Sequence, residues 1–398
     1  MRWPSRCASS ATSSRRCRRC AASCRWDAVR EILILAGEAS GDLHGAILAE
    51  RLKALRPAVP ITGTGGVRMR SAGVEMLEEH EGVVGFVEVL KHIPSHYRLL
   101  KRLTARLASG RVGLVICIDY PGFNMRVAAA AAKSGVPVLY YITPQVWAWR
   151  AGRLKTMAQI ITKAAVILPF EEAMLRGAGI DATFVGHPLL DRAQALPTKA
   201  EARERLGLSR DGELLALFPG SRAEEIRRHL HDFLAVADEL KRRRPALQVV
   251  LSVAPTIDLR DDEVPVPLIR SASFDVLRAA DVALCKSGTT TLEAAVAGTP
   301  CAIVYRTSPI SYAIAKRLVK IEHIGLLNIV AGRTVAPEFV QDAFQPRPVA
   351  DALEPLFARD GAARLAMEAG LADVRAKLGQ PGASTRVAEM AAEMLHER

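Results

Sequence analysis

The sequence predicts an α/β protein built from two Rossmann-like, doubly wound domains that face a central cleft. Three observations carry this. The chain has 398 residues, which suits two domains at roughly 100–200 residues each. Short apolar runs alternate with helical patterns, as in parallel sheets covered on both faces. The alternation pauses at a polar connection, residues 191–212, and then resumes.

The elements follow in order. Ile32-Leu-Ile-Leu-Ala36 is a continuous apolar run, as a buried parallel strand requires. After the turn Gly37-Glu-Ala-Ser-Gly-Asp42, Leu48, Leu52 and Leu55 fall at helical spacing until Pro57. Further strands are expected at 112–118, 136–141, 165–168 and 182–185. The second series has strands at 214–218, 247–253, 266–270, 282–285 and 301–305. Helices are expected at 224–243 and 289–297, and the stretch 348–398 reads as helical throughout. The expected organisation is a tail at 1–28, domains at 29–190 and 191–370, and C-terminal helices at 371–398.

Composition narrows the class. Apolar residues make up 49% and charged residues 24%, which excludes a wholly disordered chain. The 28 Gly and 22 Pro follow no period, which excludes collagen. The uncharged stretch 134–149 is broken by Pro137 and Pro144 and falls short of the ~20 residues of a membrane span. Seven arginines and no acid fall in residues 1–26, so the net charge of +12 leaves only +5 for the rest. No nucleic-acid partner is expected from so mild a balance.

The segment 1–28 is expected to lie outside the fold, as a disordered tail or a start codon placed too early, with the folded chain beginning near Val29. Its Cys17-x-x-Cys20 lacks a second ligand pair at zinc-site spacing. Cys117, Cys285 and Cys301 sit in apolar runs and form no disulfide framework, so a reducing compartment is expected.

Strand-end turns hold the candidate chemistry. Pro219-Gly-Ser-Arg222 follows a strand and opens a helix. Gly220 permits close backbone approach, the helix-start amides around Ser221 can hold an anion, and Arg222 adds a fork suited to phosphate oxygens. Lys286-Ser-Gly-Thr-Thr-Thr-Leu-Glu293 repeats the device. Ser287, Gly288 and Thr289 either cap the next helix or bind a diphosphate, and Glu293, one turn in, suits a ribose hydroxyl. The turn at 37–42 supplies Glu38, Ser40, Gly41 and Asp42, with Asp42 read equally well as a helix cap.

Asp119 ends the strand 112–118 and precedes Tyr120-Pro-Gly-Phe-Asn124. A carboxylate there faces the cleft of an open α/β sheet, where a general base must sit; a loop-capping role fits the same position. The loop Pro144-Gln145-Val-Trp147-Ala-Trp-Arg150 offers indoles either to the core or to a ligand. His187 reads as a structural residue near the hinge. The basic apolar segments 98–107 and 312–321 could lie on an anionic membrane surface or pack as ordinary amphipathic helices. No D-x-D, H-E-x-x-H, Walker A, G-x-S-x-G or G-x-G-x-x-G pattern is present, so no obligatory metal or cofactor is expected.

In combination, GEASGD at 37–42, DYPGFN at 119–124, PQVWAWR at 144–150, LPFE at 168–171, GHPLLD at 186–191, PGSR at 219–222, SGTTTLE at 287–293 and LLNIVAGR at 326–333 resemble lipid-A-disaccharide synthase. The resemblance runs from about Ile32 to the C-terminus. It implies a GT-B glycosyltransferase that joins UDP-2,3-diacylglucosamine to 2,3-diacylglucosamine 1-phosphate (lipid X) with inversion and release of UDP.

It further implies Asp119 as the base. Ser221, Arg222, Glu225, Ser287, Gly288, Thr289, Glu293, Asn328 and Gln341 fall on the donor side. Glu38, Ser40, Gly41, Asp42, Asn124, Gln145 and Trp147 fall on the acceptor side. A peripheral position on the cytoplasmic face of the inner membrane and a homodimer also follow from the resemblance. Gly122 stands where some members carry a second acid, and Leu327 where many carry proline. Two rivals share the scaffold: a UDP-GlcNAc 2-epimerase or peptidoglycan-type transferase, and a non-catalytic nucleotide-sugar sensor.

Overall fold

A computed structural model describes residues 30–79, 93–149, 152–254, 257–270, 273–309, 312 and 322–396. The tail 1–28, Arg150 and nearly all of 312–321 lie outside the described residues.

The first sheet holds β1 (Glu31–Ala36), β2 (Ile61–Gly65), β3 (Glu75–Glu79), β4 (Val112–Ile118), β5 (Val138–Tyr141), β6 (Lys163–Val166) and β7 (Asp181–Phe184). Its order is β3-β2-β1-β4-β5-β6-β7, parallel throughout. The second holds β8 (Leu214–Phe218), β9 (Gln248–Ser252), β10 (Leu268–Ile269), β11 (Val282–Lys286), β12 (Cys301–Tyr305) and β13 (Glu338–Val340). It runs β10-β9-β8-β11-β12-β13, also parallel. The central strands are buried on both faces; Ile32 to Leu35 and Leu114 to Ile118 have no exposed surface. Each such side chain contributes about 1.5–3 kcal/mol, so the strand cores are rigid supports for whatever sits at their ends.

Three strands escape the sequence reading. β2 is Ile-Thr-Gly-Thr-Gly and β3 Glu-Met-Leu-Glu-Glu, one glycine-rich and the other a charged edge, so neither shows an apolar run. β13 has only three residues.

The C-terminal stretch is not helical throughout. Pro346–Leu353, Ala362–Lys377 and Ala383–His396 are separate helices, broken at 378–382, where Gly379 and Gly382 take positive φ. The helix Ala362–Lys377 runs unbroken across the boundary expected at 371 and packs Met367, Leu371 and Val374 into the second core. The helix Ala383–His396 returns to the first sheet, burying Val387, Ala388 and Ala391 there. The chain therefore crosses between domains twice, and the crossings are clasped together. His187 N donates to Leu378 O at 2.9 Å, Gly382 N to the Asp191 carboxylate, and Arg386 Nε to Val185 O at 2.9 Å.

The basic segment 98–107 lies within the helix Ile93–Ala108. Leu99, Leu103 and Leu107 are each 1% exposed in the first core, so this apolar face is already covered by protein. Among the described residues no helix is long and apolar enough to cross a membrane.

Candidate active site

In doubly wound sheets, ligands bind beyond the carboxyl ends of the strands, where the strand order reverses. In the first sheet that point lies between β1 and β4. The turn after β1 starts at Gly37, and the turn after β4 is Asp119-Tyr120. A Cβ on Gly37 would lie 2.3 Å from the Tyr120 ring, so glycine is what lets the two turns pack together.

Asp119 and Tyr120 take φ of 47° and 48°, a left-handed backbone that non-glycine residues adopt only where contacts enforce it. The enforcing contacts are visible. Asn124, almost fully buried, donates Nδ2 to Leu35 O, Ile118 O and Asp119 O at 3.3, 3.2 and 2.8 Å. Tyr140 Oη donates to Asp119 O at 2.9 Å. The backbone of the turn is thus held from inside through its carbonyls, and none of these contacts engages the Asp119 carboxylate. Burial, then the Glu38 charge, push that carboxyl up to about 6, against the Tyr120 amide and Arg222, which pull it down.

In the second sheet the reversal lies between β8 and β11. Pro219–Arg222 follows β8, and Ser287–Thr289 follows β11. Glu225, one turn into the helix Ala223–Arg243, organises this end. Its Oε2 accepts from Ser221 N at 3.0 Å and its Oε1 from Lys286 Nζ at 2.8 Å, while Arg222 Nη1 lies 3.5 Å from Oε1. Burial would raise the Glu225 carboxyl, but Lys286, the Ser221 amide and Arg222 together hold it below its ordinary value. Gly220, with φ of 136°, leaves room for Glu225 where a Cβ would meet it at 2.5 Å.

The two ends meet. Arg222 Nη2 lies 3.7 Å from Glu38 Oε2 across the domains, with both side chains partly exposed. The two strand ends therefore bring a desolvated carboxylate on the first domain opposite two cations and a helix start on the second.

Several expected contact residues are placed differently. The Asp42 carboxylate accepts from Gly66 N, Arg68 N and Met69 N at 2.7, 3.1 and 3.0 Å, closing the start of the helix Val67–Ser71. Asn328 is fully buried. It donates to Ala336 O and Glu338 Oε1 at 2.7 and 2.8 Å and accepts from Val335 N and Ala336 N at 2.8 and 3.0 Å. Glu338 in turn receives Ile324 N and Gly325 N, and Ile324 O receives Ser287 Oγ at 2.7 Å. Asn328 thus shapes the wall behind Ser287 from within. Gln341 exchanges two hydrogen bonds with the Thr307 backbone. Gly288 starts the helix Thr289–Ala297, with Thr289 exposed. Ser40 and Gln145 are also exposed, while Gly41 packs against Ala36.

Trp147 Nε1 donates to Glu171 Oε1 at 3.0 Å, and the indole stacks edge-on against Phe170. Burial pushes the Glu171 carboxyl up to about 7, against the Trp147 and Leu168 hydrogen bonds. His187 is buried, accepts from Leu189 N at 3.2 Å, and is pushed down to about 3 by burial and then by His44, which suits a neutral hinge residue. Sequence reasoning missed Lys286 as a partner of Glu225, and it missed Glu171. Lys286 was legible as the last residue of a strand that faces the same turn. Glu171 was legible only as an acid at a helix start, a position usually filled by a cap.

With this geometry in view, the comparisons are decisive. The family model described as Lipid-A-disaccharide synthetase matches residues 32–392. The chain belongs to the lipid-A-disaccharide synthetase family. It is 43% identical over 374 residues to the lipid-A-disaccharide synthase of Syntrophus aciditrophicus, covering 92% of this chain and 97% of that one. It is 42% identical over 373 residues to that of Geobacter sulfurreducens, with the same coverage of each. Among solved structures it is similar in fold to CalG4, the calicheamicin glycosyltransferase (TM-score 0.59, 17% identity, 92% of this chain and 98% of that one). It is similar also to the Neisseria meningitidis UDP-GlcNAc 2-epimerase bound to UDP-GlcNAc (TM-score 0.57, 12% identity, 92% and 100%). The fold is GT-B and the enzyme class of the family is glycosyltransferase.

Proposed function

We propose that this chain transfers 2,3-diacylglucosamine from its UDP derivative to the 6-hydroxyl of 2,3-diacylglucosamine 1-phosphate, forming a β-1,6 disaccharide and releasing UDP. One observation carries the reading: a desolvated carboxylate, Asp119, stands opposite the cation-lined helix start of Arg222.

The step is a single in-line displacement. Asp119 accepts the proton of the acceptor's 6-hydroxyl as that oxygen attacks the anomeric carbon. The bond from the anomeric carbon to the diphosphate oxygen breaks on the opposite face, so an α-linked donor gives a β product. The leaving UDP gains negative charge, which Arg222, Lys286 and the amides of the turn before Ala223–Arg243 stabilise. Lys286 does so only by partly leaving Glu225. Arg222 lies 3.7 Å from Glu38 and can exchange that partner for the diphosphate. Transfer of Arg222 to the diphosphate removes the cation that lowers the Asp119 pKa and so makes the base stronger as donor binds.

The acyl chains of both substrates favour action at the cytoplasmic face of a membrane, with the protein bound peripherally. The 2-epimerase rival shares the fold but needs no acylated acceptor. The test is direct: purified protein, the UDP-diacyl donor and the diacyl 1-phosphate acceptor, with UDP and a tetra-acyl disaccharide followed by mass spectrometry. Epimerised UDP-GlcNAc, or no disaccharide, rules the reading out.

A further inference from the structure

Arg192 has no part in the chemistry above. It ends the short helix Leu189–Arg192, directly after the first crossing between the domains. Its Nη1 donates to Glu293 Oε1 at 3.2 Å, and its guanidinium lies 5.1 Å from the centroid of the Phe274 ring. The preceding residue, Asp191, is tied to Gly382 N at the second crossing. Arg192 is therefore held by Glu293 and by the Phe274 ring, and its neighbour Asp191 by the second crossing. Glu293 stands one turn into the helix that Gly288 begins and is 7% exposed. No described residue donates a hydrogen bond to its Oε2, and Oε2 is not one of the buried atoms left without a partner, so this oxygen can accept one from a ligand.

We infer that Arg192 is a positioning residue for the nucleotide: it holds one oxygen of Glu293 so that the other is presented to the hydroxyls of a ribose. This rests on reading the turn 287–293 as the nucleotide side of the site. The arrangement also ties nucleotide recognition to the interdomain crossing, because the residue that aims Glu293 belongs to the hinge helix. A purely structural ion pair would staple the helices Leu189–Arg192 and Thr289–Ala297 and be indifferent to what the ligand carries.

Calorimetric titration of the full chain with UDP and with 2′,3′-dideoxy-UDP separates the two. Wild type is expected to bind UDP at least about tenfold more tightly than the dideoxy compound, as a hydroxyl bound to a charged acceptor should give. Arg192→Ala is expected to weaken UDP about tenfold, leave the dideoxy compound within about twofold, and so bring the ratio near one. Arg192→Lys should restore part of the ratio, and it serves in place of Arg192→Ala if that variant fails to fold. In a Glu293→Gln background, Arg192→Ala should change UDP affinity no further. A ratio preserved in the Arg192 variants, or equal weakening of both ligands, overturns the positioning role and leaves the ribose reading of Glu293 standing. A wild-type ratio near one overturns both. Neither result touches the assignment of transfer chemistry, which the disaccharide assay tests separately.

Discussion

At the β1/β4 junction a carboxylate is stripped of water and set beside another acid, whereas at the β8/β11 junction a carboxylate is met by Lys286, Arg222 and a backbone amide. The two junctions share a topology, a parallel sheet reversing its order at a strand-end turn. Their environments push Asp119 up to about 6 and hold Glu225 below its ordinary value. This is the pattern by which one fold separates a proton acceptor from an anion cradle. The scaffold fixes where chemistry can happen; the charges at each turn decide which chemistry.

The largest expected effect breaks the first junction. Asp119→Asn should lower kcat by about a thousandfold, within the range of general-base loss, with UDP affinity unchanged within about twofold. In wild type, kcat/KM should rise with pH through about 6 as the carboxyl ionises, and that limb should vanish in the variant. Stability should move oppositely. A folded pKa above the unfolded one stabilises the fold at low pH, and this is lost as pH rises through about 6. At about 1.4 kcal/mol per pKa unit, the ionised group costs about 2–3 kcal/mol at pH 8, so Asp119→Asn should melt higher there. Normal turnover in the variant would end the assignment.

Breaking the second junction should cost somewhat less. Arg222→Ala removes a cation from the leaving diphosphate and should lower kcat/KM for the donor about a hundredfold. Arg222→Lys should recover part of this, since charge survives but the fork does not. Product inhibition by UDP should weaken in parallel. A loss in kcat alone, with UDP inhibition intact, would place Arg222 on the acceptor side and erase the contrast between the junctions.

How much of this could be read beforehand depends on the element. Strands β1, β4, β8 and β12 are plain in the sequence because both their faces are buried and their apolar runs are unbroken. The turns that follow them were legible for the same reason, including Asp119 and Pro219–Arg222. Asn328 and Gln341 were picked out, but their hydrogen bonds are internal: Gln341 is taken up by the Thr307 backbone and Asn328 by backbone groups and the Glu338 carboxylate, and a one-letter pattern does not show which way an amide points. The return of Ala383–His396 to the first sheet was invisible too, since a helical period says nothing about which core a helix joins.

Asn124 supports the first junction through backbone alone, which gives a smaller test. Asn124→Ala leaves Leu35 O, Ile118 O and Asp119 O without the donor that gathers them. Loss of a buried, multiply used donor should destabilise by about 2 kcal/mol, read as a lower midpoint in urea. The left-handed turn at Asp119 should also loosen, so kcat should fall about tenfold. The donor KM should hold, because the second junction is untouched. A matching rise in donor KM would mean that the two junctions are coupled through the Arg222–Glu38 contact more tightly than their separate supports imply.

The smallest expected effect concerns the loop after β5. Ionised Glu171 accepts from both Trp147 Nε1 and Leu168 N, and its carboxyl is pushed up to about 7. A proton on one oxygen turns an acceptor into a donor and costs one of the two bonds. Emission from Trp147 should therefore titrate near pH 7 in wild type. Glu171→Gln keeps a single acceptor at every pH and should abolish the titration while changing turnover only about two- to fivefold. Trp147→Phe supplies the baseline against the other tryptophans. If emission titrates unchanged in Glu171→Gln, the signal belongs to another group. The Trp147 loop would then be held by its packing on Phe170 rather than by a titrating hydrogen bond.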